Sequence, residues 1–412
     1  MAEQSSVVYS TLTDEDEKSF ETIFNKRGVT GLYEYSRRKL DSWLNVSLNI
    51  AVTGGSGKGK SSFINAILNL KVDDEGAAFT DVKETTLERK RYEHPANKNI
   101  VFWDLPGVGT KHFKQEDYLN KVKLNEYDFF ILVSSERFSE NDCWLAEEIR
   151  KMDKRFFFVR TKVDNDINAE KRSRKKNRRT PETILDLIRS DCKECLNNLG
   201  FPESHVFLVD NLSPYLFDFD RLSKQLIEDA PKRKRETLLF SIKGYACQVI
   251  NEKKKHLEKR IPLISLGSAV VPISAAVPIP GLGLSVDFAV IISEITFYRE
   301  QFGLTDDDIK DTAEFLGLRE EELKEEFGIG TFLQKCTRKG IITLCLQAAY
   351  SANSAEISKY TIIPLLLGSI ANGMISYRTT SYCLTTMLED IYKVSVKISE
   401  KMSSDIVETP LD

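Results

Sequence analysis

A lysine and a serine set directly behind a run of glycines are the residues of this chain whose spacing most directly implies chemistry. The stretch Gly54-Gly55-Ser56-Gly57-Lys58-Gly59-Lys60-Ser61 satisfies the pattern G-x-x-x-x-G-K-[ST]. Glycines admit backbone angles closed to other residues, so successive N–H groups can turn toward one anion at the positive end of a following helix. The ammonium of Lys60 can then reach the outer phosphates of a nucleoside triphosphate, and the hydroxyls of Ser61 and its neighbour Ser62 lie at the start of that helix, with Ser61 placed to ligate Mg²⁺. A glycine-rich turn followed by Lys-Ser has no packing rationale.

Two further motifs follow in the order a nucleotide site requires. Asp104-Leu105-Pro106-Gly107 is a D-x-x-G, whose Asp can hold Mg²⁺ through water and whose Gly N–H can contact the γ-phosphate. Thr161-Lys162-Val163-Asp164 is a [NT]-K-x-D, and a carboxylate at 164 can accept both the N1 and N2 protons of guanine, a pair that adenine lacks. Neither motif is specific alone, because Asp and Gly are common in turns. Together with the phosphate loop they point to GTP and GDP rather than ATP.

The elements that must carry these loops are legible as apolar runs. Leu48–Thr53 reads as a buried strand before the phosphate loop, and 62–68 as an amphipathic helix after it. Strands are expected at 99–103, 128–133, 155–160 and 205–209, alternating with helical patterns. The fold class is therefore an α/β P-loop GTPase domain with a doubly wound, mainly parallel sheet, plus an all-α domain built from both ends of the chain. The expected boundaries are 1–45 for an N-terminal helical segment, with Leu32, Tyr33, Tyr35 and Leu40 as packing positions, 46–215 for the GTP-binding domain and 216–412 for C-terminal helices.

Composition adds limits. The 412 residues are 41% hydrophobic and 29% charged, ordinary for a globular protein with sizeable cores. A formal net charge of −4 offers no overall attraction for nucleic acid, so none is expected as a partner. The seven cysteines are scattered as in a reducing compartment, and Cys192-x-x-Cys195 continues a helical pattern with no second pair. The N-terminus lacks an apolar signal region, and Ala2 stands where N-myristoylation needs glycine. The run Ile261–Val286 carries no charge, but its four prolines argue against a straight membrane span and favour a buried, kinked helical hairpin packed by a second uncharged run, 361–376. A basic cluster at 171–179 reads as a solvated loop and helix start, as a surface for anionic headgroups or a partner, or as a nuclear import signal, and Pro231–Arg235 reads as the opening of the first long C-terminal helix, bracing the domain junction.

Between the phosphate loop and Asp104, residues 76–86 should sense the γ-phosphate. Thr80, Thr85 and Thr86 all offer a hydroxyl for Mg²⁺, and Thr86 best fits the position before the next strand. Position 108, where Ras-type enzymes carry a water-orienting Gln, is Val108, so hydrolysis should be slow unless another group, for instance across a dimer interface, supplies the function.

The form G-x-S-G-x-G-K-S-S-F-I-N-A of the loop, Gly76-Ala77-Ala78…Thr80…Glu84-Thr85-Thr86, Phe102–Gly107, Phe207–Asn211, Pro278-Ile279-Pro280-Gly281…Asp287 and Phe302-Gly303-Leu304 together resemble the vertebrate immunity-related GTPases, over nearly the whole chain. The resemblance implies an interferon-inducible, dynamin-like GTPase of cell-autonomous immunity. It implies pairing through the nucleotide face with a second copy or with other family GTPases, cooperative hydrolysis, and action from the cytoplasm at membranes of pathogen-containing vacuoles, peripherally attached. It assigns Glu84 to hydrolysis with Thr86, places Asp210 and Asn211 beside the nucleotide, and makes Lys60 the mark of the hydrolysing GKS type as opposed to members with Met there. Gly55 stands where the family commonly has Glu, and Asp81 where it commonly has Gly. The competing reading is a GTP-switched binding module with negligible turnover.

Overall fold

The structure is a computed structural model. It describes residues 14–80, 88–108, 115–174, 176–177, 179–202, 205–214, 216–242, 247–270, 277–279, 284–286, 288–351 and 373–408. The chain divides into two compact units, one formed by 44–244 and the other by 1–43 with 245–412.

The first unit is built on a sheet of six strands, β1 (Leu48–Thr53), β2 (Lys90–His94), β3 (Asn97–Asp104), β4 (Phe129–Ser134), β5 (Phe156–Arg160) and β6 (Val206–Leu208), in the order β2-β3-β1-β4-β5-β6. Only β2 runs antiparallel. The apolar runs Phe129-Phe130-Ile131-Leu132-Val133 and Phe156-Phe157-Phe158-Val159 are covered on both faces, as parallel strands flanked by helices must be. On one face Phe130, Leu132 and Phe158 pack with Leu145, Ile149, Cys192 and Leu196 from the covering helices. The register pairs Val52 with Asp104, Thr53 with Leu132 and Ser134 with Arg160, which brings the carboxyl ends of β1, β3, β4 and β5 to one edge. Connections leave β1 toward both neighbours, β3 and β4, so the crevice of a doubly wound sheet opens at the end of β1.

Residues 216–244, expected among the C-terminal helices, belong to this unit instead. Asp218 accepts from the Leu208 N–H and its own N–H donates to the Leu208 carbonyl, both at 2.9 Å, which ties the end of β6 to the start of the helix Phe219–Asp229 across the loop that carries Asp210 and Asn211. That helix presents Phe219 to Phe63, and the next, Lys232–Ser241, sends Lys234 Nζ to Asp128 Oδ1 at 2.8 Å. A helical pattern specifies the helix but not the layer it covers.

The second unit is helical among its described residues apart from one hairpin. The helix Cys247–Val270 is packed on one side by Asp14–Leu40, which breaks at Gly28, and on another by Gly373–Glu408. Phe20 and Leu32 meet Leu263, Leu266, Ala269 and Tyr377 in one cluster, with Tyr35 and Leu40 at its margin. The uncharged run departs from the helical hairpin expected of it. Its described residues continue the helix to Val270, and its later part forms an antiparallel pair, β7 (Val277–Ile279) with β8 (Leu284–Val286). Proline lacks the N–H and the backbone freedom that a helix interior needs but is tolerated in a short edge strand, where Pro278 pairs with Ser285. Of the second uncharged run, 361–372 lie outside the described residues; its end opens the helix Gly373–Glu408, where the Ser376 hydroxyl donates to the Ser268 carbonyl at 3.3 Å. No helix among the described residues is long and apolar enough to cross a membrane.

Candidate nucleotide-binding site

The phosphate loop leaves β1 through Gly54, which has φ of +138° and lies so close to β4 that a Cβ there would meet the Val133 carbonyl oxygen at 2.1 Å. A side chain is excluded by both backbone strain and space. The loop ends at Gly59, and Lys60 opens the helix Lys60–Leu68. Lys60 is 7% exposed, and its Nζ donates to the carbonyls of Gly55 at 2.9 Å and Gly54 at 3.3 Å, folding the ammonium over the loop. Ser56 and Gly57 lie exposed at the tip, and Ser62 continues the helix half-buried.

Asp104, fully buried, ends β3 one strand away, and the Ser61 hydroxyl donates to its Oδ2 at 2.6 Å. The strand then runs along the loop: Leu105 N–H donates to the Val52 carbonyl, Val108 bridges Gly55, and a Cβ at Gly107 would lie 2.7 Å from the Ser56 nitrogen. Glycine at 107 is thus required by close approach. Two hard oxygen donors, one hydroxyl and one carboxylate, sit side by side at the mouth of a loop of N–H groups. That donor set fits Mg²⁺, which takes few protein ligands and completes its shell with water and phosphate. Among the described residues no group of three or more His, Cys, Asp or Glu side chains could hold a metal by itself.

The base-reading motif follows β5. Thr161 Oγ1 donates to the Lys58 carbonyl at 2.7 Å and Lys162 Nζ to the Gly57 carbonyl at 2.9 Å. Asp164 stands half-buried in the first turn of the helix Val163–Ser173. From the end of β6, Asn211 Nδ2 donates to the Gly59 carbonyl at 3.0 Å, and Asp210 Oδ1 accepts from the Leu212 N–H at 2.9 Å. Burial raises the Asp210 carboxyl above its ordinary range, with the nearby charge of Asp164 adding to the rise and the Leu212 N–H opposing it. Burial likewise raises Asp166, against the pull of Arg160, whose guanidinium donates to it at 2.7 Å. On the loop itself Lys58 pairs with Glu136 at 3.1 Å, and this bond holds the Glu136 carboxyl below its ordinary range.

Every residue of the three motifs is therefore gathered at one edge of the sheet. Glu84 and Thr86, with Thr85 and Asp81, lie outside the described residues. Val108 is 2% exposed and packed in the core with Tyr118, so position 108 presents its side chain to the interior. Two supporting residues carried no motif signal. Thr53 donates to the buried Tyr118 hydroxyl at 2.8 Å, which donates in turn to the Pro106 carbonyl at 3.1 Å, joining the strand before the phosphate loop to the D-x-x-G turn. Burial raises the Tyr118 phenol, so it remains a neutral donor. Asn65 pairs with both backbone groups of Ala78, at 2.6 and 2.8 Å; a lone amide within the apolar run Phe63–Leu68 was the available sign of a buried polar task. Cys192 and Cys195 both lie on the helix Pro181–Asn198, and burial pushes the Cys192 thiol up to about 12.

A phosphate loop at the crevice of a doubly wound sheet, with a D-x-x-G and a T-K-x-D converging on it, defines a P-loop GTPase domain. Residues 14–393 match the family model described as interferon-inducible GTPase (IIGP), and the chain belongs to that GTPase family. Among its relatives, interferon-gamma-inducible GTPase 10 of Mus musculus is 35% identical over 87% of this chain and 84% of that protein. Interferon-inducible GTPase 5 of Rattus norvegicus is 32% identical over 95% of this chain and 84% of that protein. Interferon-inducible GTPase 1 of Mus musculus reaches 41% identity over 62% of this chain and 61% of that protein.

Proposed function

We propose that this protein binds GTP with Mg²⁺, hydrolyses it to GDP and phosphate as a nucleotide-dependent dimer, and acts in cell-autonomous immunity at intracellular membranes such as those of pathogen-containing vacuoles. The observation that carries the nucleotide reading is the 2.6 Å contact between Ser61 and Asp104 at the mouth of the glycine loop, which serves no packing purpose. Lys60 exchanges carbonyl partners of its own loop for β- and γ-phosphate oxygens, and the N–H groups of 55–61 face the triphosphate. Ser61 would ligate Mg²⁺ and Asp104 would hold it through water, with Thr86 fitting best among Thr80, Thr85 and Thr86 as a further ligand, and the ion would neutralise charge on the phosphates. Asp164 accepts the guanine N1 and N2 protons, with Lys162 and the Asp210–Asn211 loop beside the base. Glu84 orients the attacking water with help from the partner copy. Family membership supports the immune setting and the pairing with itself or related GTPases, and the −4 net charge argues against nucleic acid.

The test of the base assignment is Asp164→Asn, which should move preference from GTP to XTP by about 100-fold, the value of a charge-assisted bidentate pair; unchanged preference removes the assignment. A second reading, a GTP-switched binding module with negligible turnover, is favoured by the burial of Val108, which leaves position 108 unable to orient water. Turnover per molecule measured against protein concentration separates the two. A steep rise supports the dimeric enzyme, and a flat trace near zero supports the module.

A further inference from the structure

Three consecutive carbonyls of the phosphate loop are held by side chains of the two loops that face the base. Gly57 is held by Lys162 Nζ at 2.9 Å, Lys58 by Thr161 Oγ1 at 2.7 Å and Gly59 by Asn211 Nδ2 at 3.0 Å. In a planar trans peptide the C=O of one residue and the N–H of the next point in opposite directions. Fixing carbonyls 57, 58 and 59 therefore fixes the N–H groups of Lys58, Gly59 and Lys60, three of the donors available to a polyphosphate.

The orientation of the Asn211 amide is settled by its partner. A carbonyl only accepts, so the NH₂ must face Gly59, and Oδ1 faces away. An amide turned this way has committed a donor to the phosphate loop. The fit is close, because a Cβ on Gly59 would lie 3.1 Å from Asn211 Nδ2 and 3.4 Å from Thr161 Oγ1.

We propose that Asn211 is a positioning residue for the triphosphate, acting with Thr161 through the phosphate loop. The loop after β6 thereby helps to set the grip on the phosphates as well as facing the base. The proposal rests on the GTP reading of the site and refines the role of Asn211 within it.

The number of phosphates on the ligand provides the test. Affinities of GMP, GDP, GTP and XTP are measured by competition against a fluorescent GDP analogue for the wild type, Asn211→Ala and Thr161→Val. A residue that positions the loop should cost GTP about tenfold, GDP less and GMP nothing, with the GTP-over-XTP preference kept. A residue that contacts the base should cost all three guanine ligands the same factor, and that result overturns the proposal, as does the absence of any loss or a changed base preference. Thermal melting of each variant reports folding. Should Asn211→Ala fail to fold, Thr161→Val, which keeps its shape and deletes the hydroxyl that bonds the Lys58 carbonyl, is measured on the same series of nucleotides, and the same graded loss is required of it. A wild type that binds none of the four nucleotides overturns the GTP reading itself, a result distinct from an even loss in the variants.

Discussion

The two units solve packing in contrasting ways. In the sheet unit the apolar strands do the burying and the polar residues are exported to the strand ends, where Gly54, Lys60, Asp104, Thr161 and Asn211 meet. In the helical unit small polar side chains stay inside the seam between Cys247–Val270 and Gly373–Glu408. Thr380 donates to Ser268 Oγ at 3.1 Å and Cys247 contacts Ser399 at 3.3 Å. Short hydroxyls and thiols let helix backbones approach while satisfying one another, so the seam is a packing device. The strand-end loops leave donors facing outward, and outward-facing donors make a site. Side-chain volume should therefore govern the helical unit, and backbone direction the nucleotide edge.

Removing volume from the apolar cluster of the helical unit should have the largest effect on stability. Leu266→Ala, at a fully buried position, is expected to cost about 3 kcal/mol in denaturant unfolding while leaving GTP affinity of the folded protein within twofold. A loss of affinity in the folded variant would break the contrast. At the nucleotide edge, Gly54→Ala adds one methyl against the Val133 carbonyl in a strained conformation, and should cost about 2 kcal/mol together with GTP binding. Calorimetry showing wild-type affinity would mean that the loop tolerates a different path. Tyr118→Phe deletes one buried hydroxyl joining Thr53 to Pro106, and should lower stability by about 1 kcal/mol and weaken GTP more than GMP.

The smallest effect concerns Cys192. Because burial raises its pKa to about 12, the thiolate is scarce at neutral pH, and labelling by a thiol reagent should remain slow at pH 7 and accelerate as pH climbs toward 12. Fast labelling at neutral pH would show that the helix Pro181–Asn198 opens readily.

Much of the sheet unit was legible because its signals are local. β1 spans the residues its apolar run marks, and β4 and β5 begin within one residue of theirs. β2, Lys90-Arg91-Tyr92-Glu93-His94, carries no apolar run, since an antiparallel edge strand needs few buried side chains. The boundary near 215 was misplaced because helical periodicity does not distinguish a helix laid on a sheet from one laid on helices. The hairpin after Val270 was misplaced because a continuous apolar run suits a buried helix and a short strand equally.

The chain's one-dimensional order determined the loop of glycines, its lysine and serine, and the carboxylates that follow at strand ends, because backbone permissiveness and side-chain chemistry are properties of single residues and near neighbours. Tertiary structure alone decided that Val108 turns inward, that Tyr118 ties Thr53 to Pro106, and that Lys162, Thr161 and Asn211 each hold one carbonyl of the same loop. Those contacts join residues up to 152 positions apart, as Asn211 and Gly59 are. Which strands become neighbours is set by the summed burial of the whole sheet, and no local pattern encodes it.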